Sequence, residues 1–109
     1  MNSLKATNKF FITTPIFYVN ASPHIGHLHS ALLSDAQTRF QALTGADKII
    51  FTTGTDEHGL KIQKAAENLN YSKIQTFCND ISEKYLNLFQ RYDIRYNNFI
   101  RTSSDQHKV

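Results

Sequence analysis

The chain has 109 residues, 40% of them hydrophobic and 19% charged, values of a globular protein that fit one domain or part of a larger one. No stretch approaches the roughly 18 to 20 consecutive apolar residues that cross a bilayer, which excludes a membrane-spanning helix and predicts a soluble protein. Twelve Lys and Arg against nine Asp and Glu leave a net charge of +3, scattered along the chain, which permits contact with nucleic acid or nucleotide without requiring it.

The opening MNSLKATNK has two lysines and no acidic residue, but neither an arginine nor an apolar run long enough for a secretory signal. Residues 1–8 are read as an N-terminal tail, compatible with a short or truncated organellar presequence, and residues 9–109 as folded. KFFITT, from Lys9 to Thr14, is β-rich and is expected to form a strand that stops near Pro15, with IFYV still extended beyond it. After the loop from Asn20 to Pro23, a helix is expected to begin at Ser22 or Pro23, since proline suits a first helical turn. Leu28, Leu32, Ala36, Phe40 and Leu43 recur at helical spacing as its expected apolar face, and Gly45 ends the pattern. KIIFTT, from Lys48 to Thr53, is a second strand that Gly54 is expected to break. Leu60, Lys61, Lys64, Ala65 and Leu69 then mark a second helix, with both lysines on its solvated side. Ile74, Phe77, Ile81, Tyr85, Leu88 and Tyr92 form a third amphipathic stripe, and IRYNNFI beyond it alternates weakly enough for a short strand. Cys78, the one cysteine, falls on the apolar side of that third helix and is read as core. Strands alternating with helices predict an α/β fold, a parallel sheet of Rossmann type with helices on both faces.

In such a sheet, ligands sit beyond the carboxyl ends of the strands. Two unusual clusters fall there. PHIGHLH, from Pro23 to His29, lies between the first strand and first helix, and GTDEHG, from Gly54 to Gly59, between the second pair. A helix start suits a phosphate, and His24 and His27, three residues apart, face one way and can donate hydrogen bonds to phosphate oxygens as charge builds on them. Gly26 between them lets a flat base or ribose approach the backbone. Asp56 or Glu57 can neutralise a substrate amine, or more plainly cap the second helix. A metal site of His24, His27 and His29 with Asp56 or His58 competes with this reading, but its spacing matches neither HExxH nor a Cys-His knuckle, so no protein-bound metal is expected. His29, off the face of His27, reads as a surface histidine.

HIGH at 24–27 resembles the signature of class I aminoacyl-tRNA synthetases. FFITTPIFYVNASPHIGHLHSALLSDA followed by FTTGTDEHGLKIQKAA, and DIRYNNFIRTSSDQH downstream, resemble the methionyl-tRNA synthetase family in particular. The resemblance implies the first half of a class I catalytic domain that activates L-methionine with ATP, accompanied by Mg²⁺, to methionyl-adenylate, and then passes the methionyl group to tRNA(Met). By position, His24 and His27 would serve the α-phosphate in the transition state, and Gly26 would lie against adenine. Ile16 and Tyr18 would line the methionine pocket, and Asp56 would take the α-ammonium group. The family's KMSKS-type lysine loop, its connective insertion, the second half of the nucleotide fold and the anticodon-binding domain have no counterpart in the 109 residues. The expectation is therefore an N-terminal segment, cut before the connective insertion and inactive alone. The wording resembles bacterial-type enzymes of mitochondria, which implies the mitochondrial matrix, with a bacterial cytoplasm as the alternative. Two other classes stay open: a small HxGH adenylyltransferase, against which GTDEHG argues, and a non-catalytic module that binds nucleotide or tRNA.

Overall fold

In the computed structural model, which describes residues 7–108, the elements follow in the order β1 (Lys9–Thr13), β2 (Phe17–Tyr18), α1 (Ile25–Leu43), β3 (Lys48–Asp56), α2 (Leu60–Asn68), α3 (Ile74–Arg91) and β4 (Asn98–Arg101). Every strand pairs in parallel with β3. Carbonyls of Thr52 and Asp56 accept from Thr14 and Val19, while those of Phe51 and Thr55 accept from Asn97 and Thr102. Alternate carbonyls of a strand point to opposite edges, so β1 and β2 share one edge of β3 and β4 takes the other. Thr13 faces Thr52 and Phe17 faces Thr55, so four steps on the edge strand match three on β3. The surplus residue is a bulge around Pro15, which has no N–H to offer a ladder. It separates β2 from β1 and re-aims Phe17 and Tyr18.

Gly54 does not break β3, which runs through it to Asp56. The glycine is required for a different reason. A Cβ at this position would collide with the Ile100 carbonyl of β4, so the close approach of two backbones, and not a turn, selects the missing side chain.

Phe51, Thr53 and Thr55 on one face of β3 are at most 1% exposed, and Phe51 belongs to a core that draws Ala31 from α1, Ile62 and Ala66 from α2, and Phe77, Ile81, Tyr85 and Phe89 from α3. The three helices thus cover the Phe51 face. The opposite face, with Phe11 at 67% exposed, carries no helix among the described residues. Cover on both faces, expected from the sequence, is seen here on one. Successive crossovers that step in one direction across the sheet, from β1 to β3 to β4, put their helices on the same side.

The buried side of α1 also differs from the expected stripe. It consists of Leu28, Ala31, Ser34 and Asp35, while Phe40 is 56% and Leu43 87% exposed. Small residues let the helix sit close on the sheet, and Asp35 tolerates burial because its carboxylate accepts from Arg39 Nε at 2.7 Å and from the Arg95 amide at 2.9 Å. The helix begins at Ile25, later than Ser22 or Pro23, and ends as expected before Gly45 at φ 99°. In α2 the buried residues are Ile62 and Ala66; Leu60 and Leu69 are exposed, as are Lys61 and Lys64. The middle of the α3 stripe, Phe77, Ile81 and Tyr85, is buried as expected, and its ends Ile74 and Tyr92 are open. Cys78 is core: burial, and then the negative charge of Glu57, push its thiol up to about 11, so it stays protonated.

Candidate functional site

The N-terminus of α1 is built from its own histidines. His24 is the N-cap, and its Nδ1 accepts from the Gly26 amide at 3.0 Å, while Nδ1 of His27 accepts from the His24 amide at 3.1 Å. This reciprocal arrangement is a capping box made with imidazoles instead of hydroxyl and carboxylate. The amides of His27 and Leu28 both turn to the His24 carbonyl. The helix-start amides expected to meet a phosphate are therefore largely taken, and the donors that remain are on the rings. With each Nδ1 occupied as an acceptor, the neutral rings carry their proton on Nε2, pointing away from the cap. The rings stack with centroids 3.7 Å apart and planes at 24°. Burial, and after it the neighbouring His24, pull His27 below the ordinary imidazole value, which keeps it neutral. Gly26 makes the stack possible: a Cβ there would lie 2.9 Å from Cε1 of His24.

At the end of β3 the two adjacent acids separate in role. Glu57 is 5% exposed and receives Arg101 through two bonds of 2.7 Å, with Thr55, Ser82 and Ser103 also donating to it. Burial pushes its carboxyl up, but Arg101, Thr55 and Ser103 outweigh that and hold it below the usual glutamate value. Its amide donates to Thr102 Oγ1 at 2.8 Å, and Nε2 of His58 lies 3.2 Å from the Thr102 carbonyl. The turn is thereby tied to the end of β4. Asp56 is only partly buried and accepts from the His58 amide at 3.2 Å; among the described residues it forms no ion pair. Neither acid caps α2, whose N-cap is Gly59 at φ 124°. Asp56 is thus the carboxylate left for a cation.

Tyr18 pairs in register with Asp56, which puts both side chains on the sheet face away from Phe17 and Thr55. Gly59 leaves room for the phenol, since a Cβ there would meet the Tyr18 hydroxyl. Ile16, 49% exposed, lines a shallow apolar cleft with Thr13, Thr52 and Ile100; Tyr18 and Asp56 do not line that cleft. The histidine pair packs on the other, helix-covered face, where the ring of Phe17 meets that of His27 at 5.4 Å. His29 is exposed and His58 is engaged with the Thr102 carbonyl just after β4, so neither joins the pair. Among the described residues no group of three or more His, Cys, Asp or Glu side chains is gathered as a metal site.

A family model described as tRNA synthetases class I (M) matches residues 10–109. The chain belongs to that family. The mitochondrial methionine–tRNA ligase of Mus musculus is 52% identical over 101 residues, 91% of this chain and 17% of its own length. The methionine–tRNA ligase of the bacterium Nostoc is 44% identical over 105 residues, 96% of this chain and 19% of its own. In three dimensions the chain is similar to the Mycobacterium tuberculosis methionyl-tRNA synthetase solved with methionyl-adenylate, at a TM-score of 0.87 and 34% identity over 92% of this chain and 19% of that one. The chain thus spans less than a fifth of the length of these synthetases. Three positioning features of the site were hidden in its sequence. Tyr85 sits inside a stripe that reads as core, Arg101 stands 44 residues from its partner, and the fit of Gly59 to Tyr18 depends on the bulge at Pro15.

Proposed function

We propose that this chain supplies the methionine-activating half-site of a methionyl-tRNA synthetase, with residues 9–109 as the N-terminal part of the nucleotide-binding catalytic domain. The supporting observation is the pair of stacked imidazoles whose Nε2–H groups have no partner among the described residues. In the reaction the methionine carboxylate attacks the α-phosphorus of ATP, the bond to the β-phosphate oxygen breaks, and pyrophosphate leaves with Mg²⁺. Negative charge grows on the α-phosphate oxygens in that step, and fixed N–H donors stabilise it without first having to reorganise. Gly26 offers bare backbone to adenine. Asp56 takes the α-ammonium group, with Tyr18 beside it, and Ile16 contributes apolar surface to the methionine side chain. The adenylate then loses its methionyl group to the 3′ end of tRNA(Met). The mitochondrial matrix is the proposed compartment, supported by mitochondrial relatives at 45 to 52% identity.

The test is a chimera in which residues 10–109 replace the matching segment of the Mus musculus mitochondrial enzyme. Methionine-dependent exchange of labelled pyrophosphate into ATP is expected. A folded chimera that exchanges with no amino acid dependence, or binds ATP without any exchange, would instead favour the adenylyltransferase or binding-module reading.

A further inference from the structure

We propose that Tyr85, whose hydroxyl lies 2.9 Å from Nδ1 of His27, is a positioning residue that fixes the His27 ring with its Nε2–H turned out toward the incoming phosphate. The inference rests on the phosphate role proposed for His27, and it concerns a residue of α3 that never touches substrate.

Tyr85 is 0% exposed, and its hydroxyl has no other hydrogen-bond partner among the described residues. A buried phenol proton without an acceptor is costly, so the hydroxyl donates to Nδ1. Burial pushes its pKa up to about 12, which keeps that proton in place across the range where enzymes work. The His24 amide, the second group on Nδ1, is likewise only a donor. Two donors facing one nitrogen leave no place for a proton there, so the proton sits on Nε2. The two donors differ in firmness. The amide belongs to an exposed helix cap, whereas the phenol is stacked on Phe17 at 5.3 Å with planes 10° apart and packs edge-on against Phe89 at 6.1 Å. Tyr85 therefore ties the imidazole to the core of the domain.

Imidazole ¹⁵N spectra of the 109-residue chain, which report the tautomer of each histidine, test this directly in the wild type and in Tyr85→Phe. The titratable groups facing His27 are the His24 ring from the cap and Tyr85 from α3, while Phe17 of β2 is uncharged. Wild-type His27 is expected as the Nε2–H form. Phenylalanine keeps the stack on Phe17 but removes one donor, so the Nδ1–H fraction should rise and the His27 midpoint should move up by about half a pH unit or more. Exposed His29 serves as the unmoved control. An unchanged tautomer and midpoint in the variant, or a wild-type His27 protonated on Nδ1, overturns the proposal. If Tyr85→Phe fails to fold, a scalar coupling between the Tyr85 hydroxyl proton and His27 Nδ1 in the wild type decides the same point, its presence supporting and its absence overturning the bond. The chimera with the Mus musculus enzyme separates this from the functional reading: a Tyr85→Phe chimera with a lower kcat for pyrophosphate exchange at an unchanged methionine KM supports the positioning role, and an unchanged kcat leaves the contact purely structural and overturns the inference as stated. A wild-type chimera with no exchange overturns the functional reading, and with it the phosphate role, while the spectra alone still decide the Tyr85 contact.

Discussion

Each imidazole of the pair spends Nδ1 on the backbone, so what the site offers a ligand is one Nε2–H per ring. Replacing His24 removes an N-cap as well as a donor, whereas replacing His27 removes a donor and half of the reciprocal cap. In the chimera, His24→Ala and His27→Ala are both expected to slow adenylate formation by about a hundredfold, the usual consequence of losing one preorganised donor to a developing oxyanion. The methionine KM should move far less, because the substrate's α-ammonium group makes its charge contact at Asp56 and not at the histidines. Equal loss in kcat and in methionine affinity would place the histidines in ground-state binding instead. Asp56→Asn isolates the other end of the site. The amide oxygen still accepts from the His58 amide, so the turn keeps its shape while the charge goes. The expected outcome is a methionine KM raised by about tenfold or more, as a charged hydrogen bond contributes roughly 1.5 to 3 kcal/mol, with the ATP KM nearly unchanged. A variant that loses only thermal stability would show Asp56 to be a turn residue.

Among elements, the junction of β3, β4 and α3 turns on one carboxylate. Glu57 has no exposed side-chain surface and its partner Arg101 is 28% exposed, so removing the charge from Glu57 leaves a guanidinium in a partly dry pocket. Glu57→Gln should destabilise the chain by about 3 kcal/mol near neutral pH. The pH dependence has a definite sign. The folded carboxyl titrates below a free glutamate's 4.5, so its contribution is fully present above that value and is lost as pH falls through the folded one. Urea midpoints of wild type and variant should differ most above 4.5 and converge in acid; a gap independent of pH would mean that the ion pair contributes only through packing. How far such elements can be read from sequence depends on range. The strands, apart from the run of β3 through Gly54 to Asp56, the end of α1 at Gly45 and the placement of HIGH near the sheet's crest follow from local periodicity and punctuation. The buried side of α1 does not, because it carries two apolar stripes. Spacing cannot say which one the sheet takes when the winning side includes Ser34 and Asp35, and the burial of Asp35 is licensed by Arg39 and by the amide of Arg95, 60 residues away. The same limit hid the division of labour between Asp56 and Glu57. In sequence both were candidates for an amine, and only Arg101 arriving on β4 commits one of them.

For the molecule as a whole, what matters is how much of an active site and of a covered core these 109 residues hold. The site supplies two imidazole donors, neutral at His27, and one carboxylate, but a triphosphate carries several negative charges. Each cationic hydrogen bond not supplied, such as those of the family's lysine loop, forgoes roughly 1.5 to 3 kcal/mol. ATP binding to this chain alone should be weak. Its surface is also unfinished as a parallel sheet normally understood, since such sheets are covered on both faces. Phe11 at 67%, Ile16 at 49%, Leu33 at 60% and Leu43 at 87% exposed leave apolar area in water on the open sheet face and on the outer side of α1. The outer edges of β1 and β4 present unpaired backbone among the described residues, a template for a second chain. The purified 109-residue chain is therefore expected to self-associate in a concentration-dependent way by sedimentation, and to show no methionine-dependent pyrophosphate exchange above background. Adding the rest of a related synthetase as a separate chain should reduce the association and restore some exchange, because the same missing surface answers both deficits. Robust exchange by a monodisperse 109-residue chain would show instead that the imidazole pair and Asp56 suffice for adenylate formation without further cations.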